Sequence, residues 1–160
     1  MIVINFESGA AQQFNVDSLD GFNFDGRELH TAIFEGVSLY KASFRTANLR
    51  GASFANCLLN EVNFKESLLM NSNFLAASLI KSNFSNAKLI GAFFFNVDLT
   101  NANLSGSDLF NANLDNTNLS GANLKAERID SASFDKAIYT RDTIWPDGFS
   151  PVAKGAILVE

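Results

Sequence analysis

A large apolar residue returns at every fifth position of this chain. Steps of five from Phe14 to Phe134 land on Phe, Leu or Ile 25 times in succession. Two residues before each of these lies a second register, which from Ala32 to Ala122 holds only Ala, Ser, Val, Thr or Cys. A period of five fits neither a helix nor a flat strand, so neither element could keep both registers on one side for long. The chain must turn regularly. Gly and Asn recur two residues after the large position, as at Gly21, Gly36, Asn56, Asn71, Gly91 and Asn116. Both types tolerate left-handed backbone and tight turns. Each unit therefore reads as a short straight piece and a corner, with one large and one small side chain pointing inward.

Units such as Ala112-Asn113-Leu114-Asp115-Asn116 and Ala122-Asn123-Leu124-Lys125-Ala126 carry a resemblance. They are similar to the pentapeptide repeat family, whose motif is Ala-Asp/Asn-Leu-x-x, and the similarity runs from Gln12 to Lys136. It implies an all-β fold, a right-handed quadrilateral β-helix in which four units make one coil. About six coils are expected, and at the usual strand spacing the stack would be roughly 30 Å long. The expected division is an N-terminal cap over 1–11, the β-helix over 12–138 and a capping tail over 139–160. In the tail, Ser150 and Pro151 read as the cap and first position of a short helical turn near 151–156. The tail also resembles the closing segment that follows the repeats in cyanobacterial members.

Phe and Leu alternate in the large register from Phe14 to Leu99. With twenty residues per coil, this puts Phe on two opposite faces and stacks each ring on the next: Phe34 on Phe54, Phe74 and Phe94, and Phe24 on Phe44, Phe64 and Phe84. From Leu99 to Leu124 the register is Leu alone, so the last coils are less bulky inside. An open first or last coil would expose unpaired backbone. Ile2, Val3, Ile4 and Phe6 are available to cover one end, and Ile144, Trp145 and Phe149 the other.

Composition narrows the function classes. The net charge is -5 at pH 7, which disfavours nucleic acid as a partner because phosphate contacts need a basic stripe. Cys57 is the sole cysteine, so no internal disulfide forms and a reducing cytoplasm fits. The apolar run at the start is too short and lacks the basic flank of a signal peptide or membrane span, so no membrane association is expected. His30 is the sole histidine and follows Leu29 at an outward position, while Cys57 sits in the inward small register. A nucleophile with a histidine base is thus not assembled, no Cys/His metal spacing exists and no phosphate loop is present. No catalytic, cofactor or metal site is expected. The triplets at Asn83, Asn103 and Asn118 that match a glycosylation pattern arise from the repeat itself.

Sorting outward positions by coil face reveals a contrast. Around Phe24, Phe44, Phe64 and Phe84 the neighbours are polar, among them Asn23, Ser43, Asn63, Asn83, Asn103 and Asn123. On two adjoining faces stand Leu68, Met70, Leu75, Ile90, Phe93, Phe95 and Phe110. A contiguous apolar patch of this kind marks an interface in soluble proteins. The reading that follows is a non-catalytic rigid scaffold that binds a protein partner or a second copy of itself through that surface. The family resemblance supplies an alternative, since some members mimic B-form DNA and engage DNA gyrase. Residues 36–95 hold two acids against six bases, however, which interrupts the continuous negative potential a DNA mimic needs.

Overall fold

The computed structural model describes all 160 residues. Its body is a stack of coils held by parallel bridges that join residue i to residue i+20, beginning Asn23↔Ser43, Glu28↔Asn48, Ile33↔Ser53 and Ser38↔Leu58. Four such columns per turn of chain run down the molecule, each bridge isolated, so few continuous strands form. The chain is a parallel β-helix built of short contacts rather than of long strands.

The local cause is visible in the backbone amides. In a unit such as Asn63-Phe64-Lys65-Glu66-Ser67, the Ser67 amide donates to the Phe64 carbonyl at 3.1 Å and closes the corner. The third residue of that turn takes a positive φ, as it does at Gly or Asn in most units. Asn63, Phe64 and Glu66 donate to the neighbouring coils, at Ala42, Asn83 and Ser85. Four of five amides are thus paired by backbone alone. The fifth, that of Lys65, is met by the unit's own Asn63 Oδ1 at 3.1 Å. The same side chain to amide bond recurs at Asn83, Asn103, Asn113, Asn118 and Asn123. This is why Asn or Asp precedes the large residue so often: an amide left without an acceptor costs free energy when water is excluded.

The corners are more permissive than the sequence suggested. Thr31, Lys41, Thr46, Glu61, Glu66, Ala76 and Lys81 also adopt positive φ. Thr46 is β-branched, a type for which this region is sterically poor, and the repeat imposes it because the neighbouring coils fix the corner.

The large register fills the centre, and every member from Leu19 to Leu124 is fully buried. Rings twenty residues apart lie nearly parallel, with Phe24 and Phe44 at 4.5 Å, Phe34 and Phe54 at 4.9 Å, and Phe74 and Phe94 at 4.8 Å. The two columns also touch edge to face: Phe64 meets Phe74 at 5.7 Å and 78°. The aromatic core is therefore one zipped block, with each pair worth roughly 0.5–1.5 kcal/mol beyond burial. Most hydroxyls in the small register return to the corner carbonyl, as Ser67 Oγ to Phe64 O at 2.6 Å and Thr117 Oγ1 to Leu114 O at 2.6 Å, whereas the buried Ser82 Oγ has no partner. Val37 departs from that register's full burial and is half-buried.

At the first end β1 (Ile2–Phe6) lies between β2 (Ala11–Phe14) and β3 (Ala32–Ile33), antiparallel to both. Ile4 is buried over the first coil, whereas Val3 faces out. The Arg27 guanidinium stands within 6 Å of the rings of Phe14, Phe22 and Phe24 and roofs this cluster. At the other end β4 (Ile138–Tyr139) pairs in parallel with β5 (Ile157–Leu158), after a 3-10 turn at Val152–Lys154. Trp145 packs on Phe134, Tyr139 and Phe149.

Candidate protein-binding surface

The two singletons of the sequence stay apart in role. Cys57 is buried and its thiol approaches the Phe34 carbonyl at 3.0 Å; burial pushes its pKa up to about 11. Such a thiol is a packing group rather than a nucleophile. His30 is exposed and lines a shallow groove with Glu28, Asn48, Arg50 and Met70. No three His, Cys, Asp or Glu side chains gather in a way that could hold a metal ion, and no helix is long and apolar enough to cross a membrane.

Of the surface residues marked out by the sequence, Leu68, Leu75, Phe93, Phe95 and Phe110 are exposed, each at 36–38%. Met70 and Ile90 are half-buried. The coil stacking lines several of them up: Gly51, Asn71 and Gly91 donate their amides to the carbonyls of Met70, Ile90 and Phe110. Arg50 heads the same column through the Thr31 amide. The rings of Phe93 and Phe95 lie parallel at 6.0 Å. Beside Phe110, the Arg128 guanidinium sits 4.6 Å from the ring centroid and donates Nε to Asp108 Oδ1 at 2.8 Å. The Arg128 hydrogen bond outweighs burial and holds the Asp108 carboxyl below its ordinary pKa.

Leu68, Lys88 and Phe93 stand where Asn or Asp closes the fifth amide in many units, as do Glu28, Ile33 and Ser53 before His30, Glu35 and Ala55. The amides of Met70, Ile90 and Phe95 consequently find no acceptor in the protein. Leu58 repeats the substitution on a further face, leaving the Asn60 amide in the same condition. Leu58 is 55% exposed and Tyr40 40% exposed, and sequence reasoning missed both. The signal was available: Leu58 precedes core Leu59 as Leu68 precedes core Leu69. The face of Phe24, Phe44, Phe64 and Phe84 carries no exposed large apolar residue until Ile144, which bridges Asn123 at its far end.

A family model for the pentapeptide repeat region matches residues 27–104, and a second, for pentapeptide repeats in eight copies, matches residues 87–125. Among solved structures, a trypsin-treated form of QnrB1, a plasmid-mediated fluoroquinolone resistance protein, is 21% identical at a TM-score of 0.58, covering 86% of this chain and 77% of its own. Full-length QnrB1 is 18% identical at a TM-score of 0.51, covering 86% and 80%. HetL, a pentapeptide repeat protein of the cyanobacterium Nostoc involved in heterocyst differentiation regulation, is 22% identical at a TM-score of 0.36, covering 84% and 69%. No curated protein matches the chain. What is shared with the two QnrB1 structures at these identities is a fold, the right-handed β-helix. With the five-residue registers, the i to i+20 bridges and the two family models in agreement, the chain belongs to the pentapeptide repeat family.

Proposed function

We propose that this protein is a non-catalytic rigid scaffold that engages a protein partner through the surface of Leu68, Met70, Leu75, Ile90, Phe93, Phe95 and Phe110. The scaffold is a quadrilateral β-helix of about six coils over residues 12–138, closed by the segments 1–11 and 139–160, and it works in the cytoplasm. The observation that carries the reading is that Leu68 and Phe93 replace the Asn or Asp that would close the amides of Met70 and Phe95. Residues that forgo a hydrogen bond worth roughly 0.5–1.5 kcal/mol in order to face water have a use other than stability.

The test compares wild type with Leu68→Asn/Phe93→Asn as bait in extract of the source cell. A protein retained by wild type and lost from the variant is the expected result; equal retention overturns the assignment of the surface. Membership of a family in which some proteins mimic B-form DNA makes DNA gyrase the competing partner. The basic middle of the rod speaks against a DNA mimic, and gyrase supercoiling should be unaffected by micromolar protein.

A further inference from the structure

The chemistry of the partner follows from which polar groups around the apolar surface are occupied. Four carboxylates along its length are engaged, while Glu127 and Asp130, at the end beyond Asp108 and Phe110, are not. Glu28 accepts from Asn48 Nδ2 at 2.6 Å, Glu35 from Ser53 Oγ at 2.7 Å, Glu66 faces Lys65 at 3.5 Å, and Asp108 is held by Arg128. The cations are in the opposite condition. Arg50 and Lys88 make no side-chain hydrogen bond or ion pair within the protein, although Arg50 heads the column of Met70, Ile90 and Phe110, and Lys88 bridges directly between Leu68 and Asp108. The amides of Met70, Ile90 and Phe95 add three donors without acceptors. Around Arg50 and Lys88 the surface offers apolar side chains and donors.

We propose that the occupant is a peptide segment of a partner protein in which carboxylates alternate with large apolar side chains, the carboxylates meeting Arg50 and Lys88 and the apolar groups lying over Met70, Leu75, Phe93 and Phe95. This rests on the surface assignment above and extends it to the ligand. A second copy fits less well. Facing this surface with itself sets Lys88 and Arg50 against like charges in a segment holding six bases and two acids. An anionic bilayer would answer the cations but leave the three amide donors facing hydrocarbon, where an unmet donor is costly.

Selection of a displayed library of random dodecapeptides against the full chain tests this. Enriched sequences should combine Asp or Glu with Leu, Phe or Trp, and a synthetic consensus peptide should lose about tenfold in affinity with Arg50→Gln/Lys88→Gln. Raising salt from 0.05 to 0.3 M should weaken it further, because the pairs lie at the surface. Enrichment of basic sequences, no enrichment, or a peptide indifferent to the charge variant overturns the proposal. So does sedimentation with phosphatidylserine vesicles, or a dimer in analytical ultracentrifugation that Phe93→Asn dissociates. The two readings separate cleanly. A ligand lost with Leu68→Asn/Phe93→Asn but kept with Arg50→Gln/Lys88→Gln leaves the surface in place and removes only the acidic ligand; one kept with both removes the surface.

Discussion

Two regions of the same coils differ in how completely side chains meet the fifth amide: throughout on one, and on the other only in some units, as at Leu75 and Phe110. On the face of Phe24, Phe44, Phe64 and Phe84, a side chain closes the fifth amide of every unit. Asp25, Lys65, Ser85, Ser105 and Lys125 use the unit's own Asn, and Arg45 uses Asp25 of the coil before it at 2.9 Å. On the adjoining faces of Leu69, Leu89 and Phe94, Leu68, Lys88 and Phe93 occupy that place and the amides of Met70, Ile90 and Phe95 go unmet. The inward registers are equally buried on both sides. The core is therefore indifferent to how the outside meets that amide, and the outer positions are free to specialise.

That indifference has a strict limit, and the largest expected effect lies at it. Phe64→Asp should abolish folding. Phe64 is fully buried, parallel to Phe44 at 5.1 Å and to Phe84 at 5.0 Å, and edge-on to Phe54 and Phe74. A carboxylate there is buried without a partner in the middle of an aromatic block, against a total stability of about 5–15 kcal/mol for a typical domain. Circular dichroism should show no cooperative melt; a transition like that of wild type would mean that the register is misplaced. Ala52→Leu comes next. Ala52 is fully buried in the small register, and overpacking such a site costs roughly 1–3 kcal/mol, read as a lower urea midpoint with an unchanged slope.

How much of this was legible depended on whether a residue's role is set within its own unit. The stacking of Phe34, Phe54 and Phe74 followed from the ten-residue alternation of Phe and Leu. Their edge-on contacts with Phe44 and Phe64 did not, because those depend on the width of the coil interior rather than on spacing along the chain. The positive φ of Thr46 was invisible for a related reason: propensity argues against it, and only the coils above and below impose it. At the surface, the five-residue count marked out Leu68 and Phe93, and the structure adds why they are unusual. Leu58 and Tyr40 lie on the face of Leu39 and Leu59, outside the two faces that the five-residue count singles out, and the half-burial of Met70 and Ile90 depends on neighbours twenty residues away.

A smaller effect separates the two faces directly. Asn83→Ala should cost about 1 kcal/mol, the usual net value of one hydrogen bond, because Asn83 Oδ1 is the acceptor of the Ser85 amide at 3.0 Å. Thermal or urea denaturation measures this. A change of zero would mean that water meets the amide equally well, and the contrast between the faces would then carry no energetic content.

The smallest expected effect is the most informative, because it asks whether the apolar face was made by giving up that same bond. Two substitutions at Leu68 are compared, to Ala and to Asn. Both remove the apolar contacts that Leu68 makes below its 36% exposure, so the loss of burial is common to the pair. Only Asn restores an acceptor for the Met70 amide, as Asn73 supplies one to Leu75 at 3.0 Å. Leu68→Asn should therefore be more stable than Leu68→Ala by about 0.5–1.5 kcal/mol, matching the difference between Asn and Ala at position 83, and its net departure from wild type should be near zero. If the Asn and Ala variants melt together, the unmet amide at Met70 is already answered by solvent and Leu68 stands there at no cost. If Asn is the more stable while the selected peptide no longer binds, stability and recognition compete at one side chain, and the wild-type residue is the one that favours recognition.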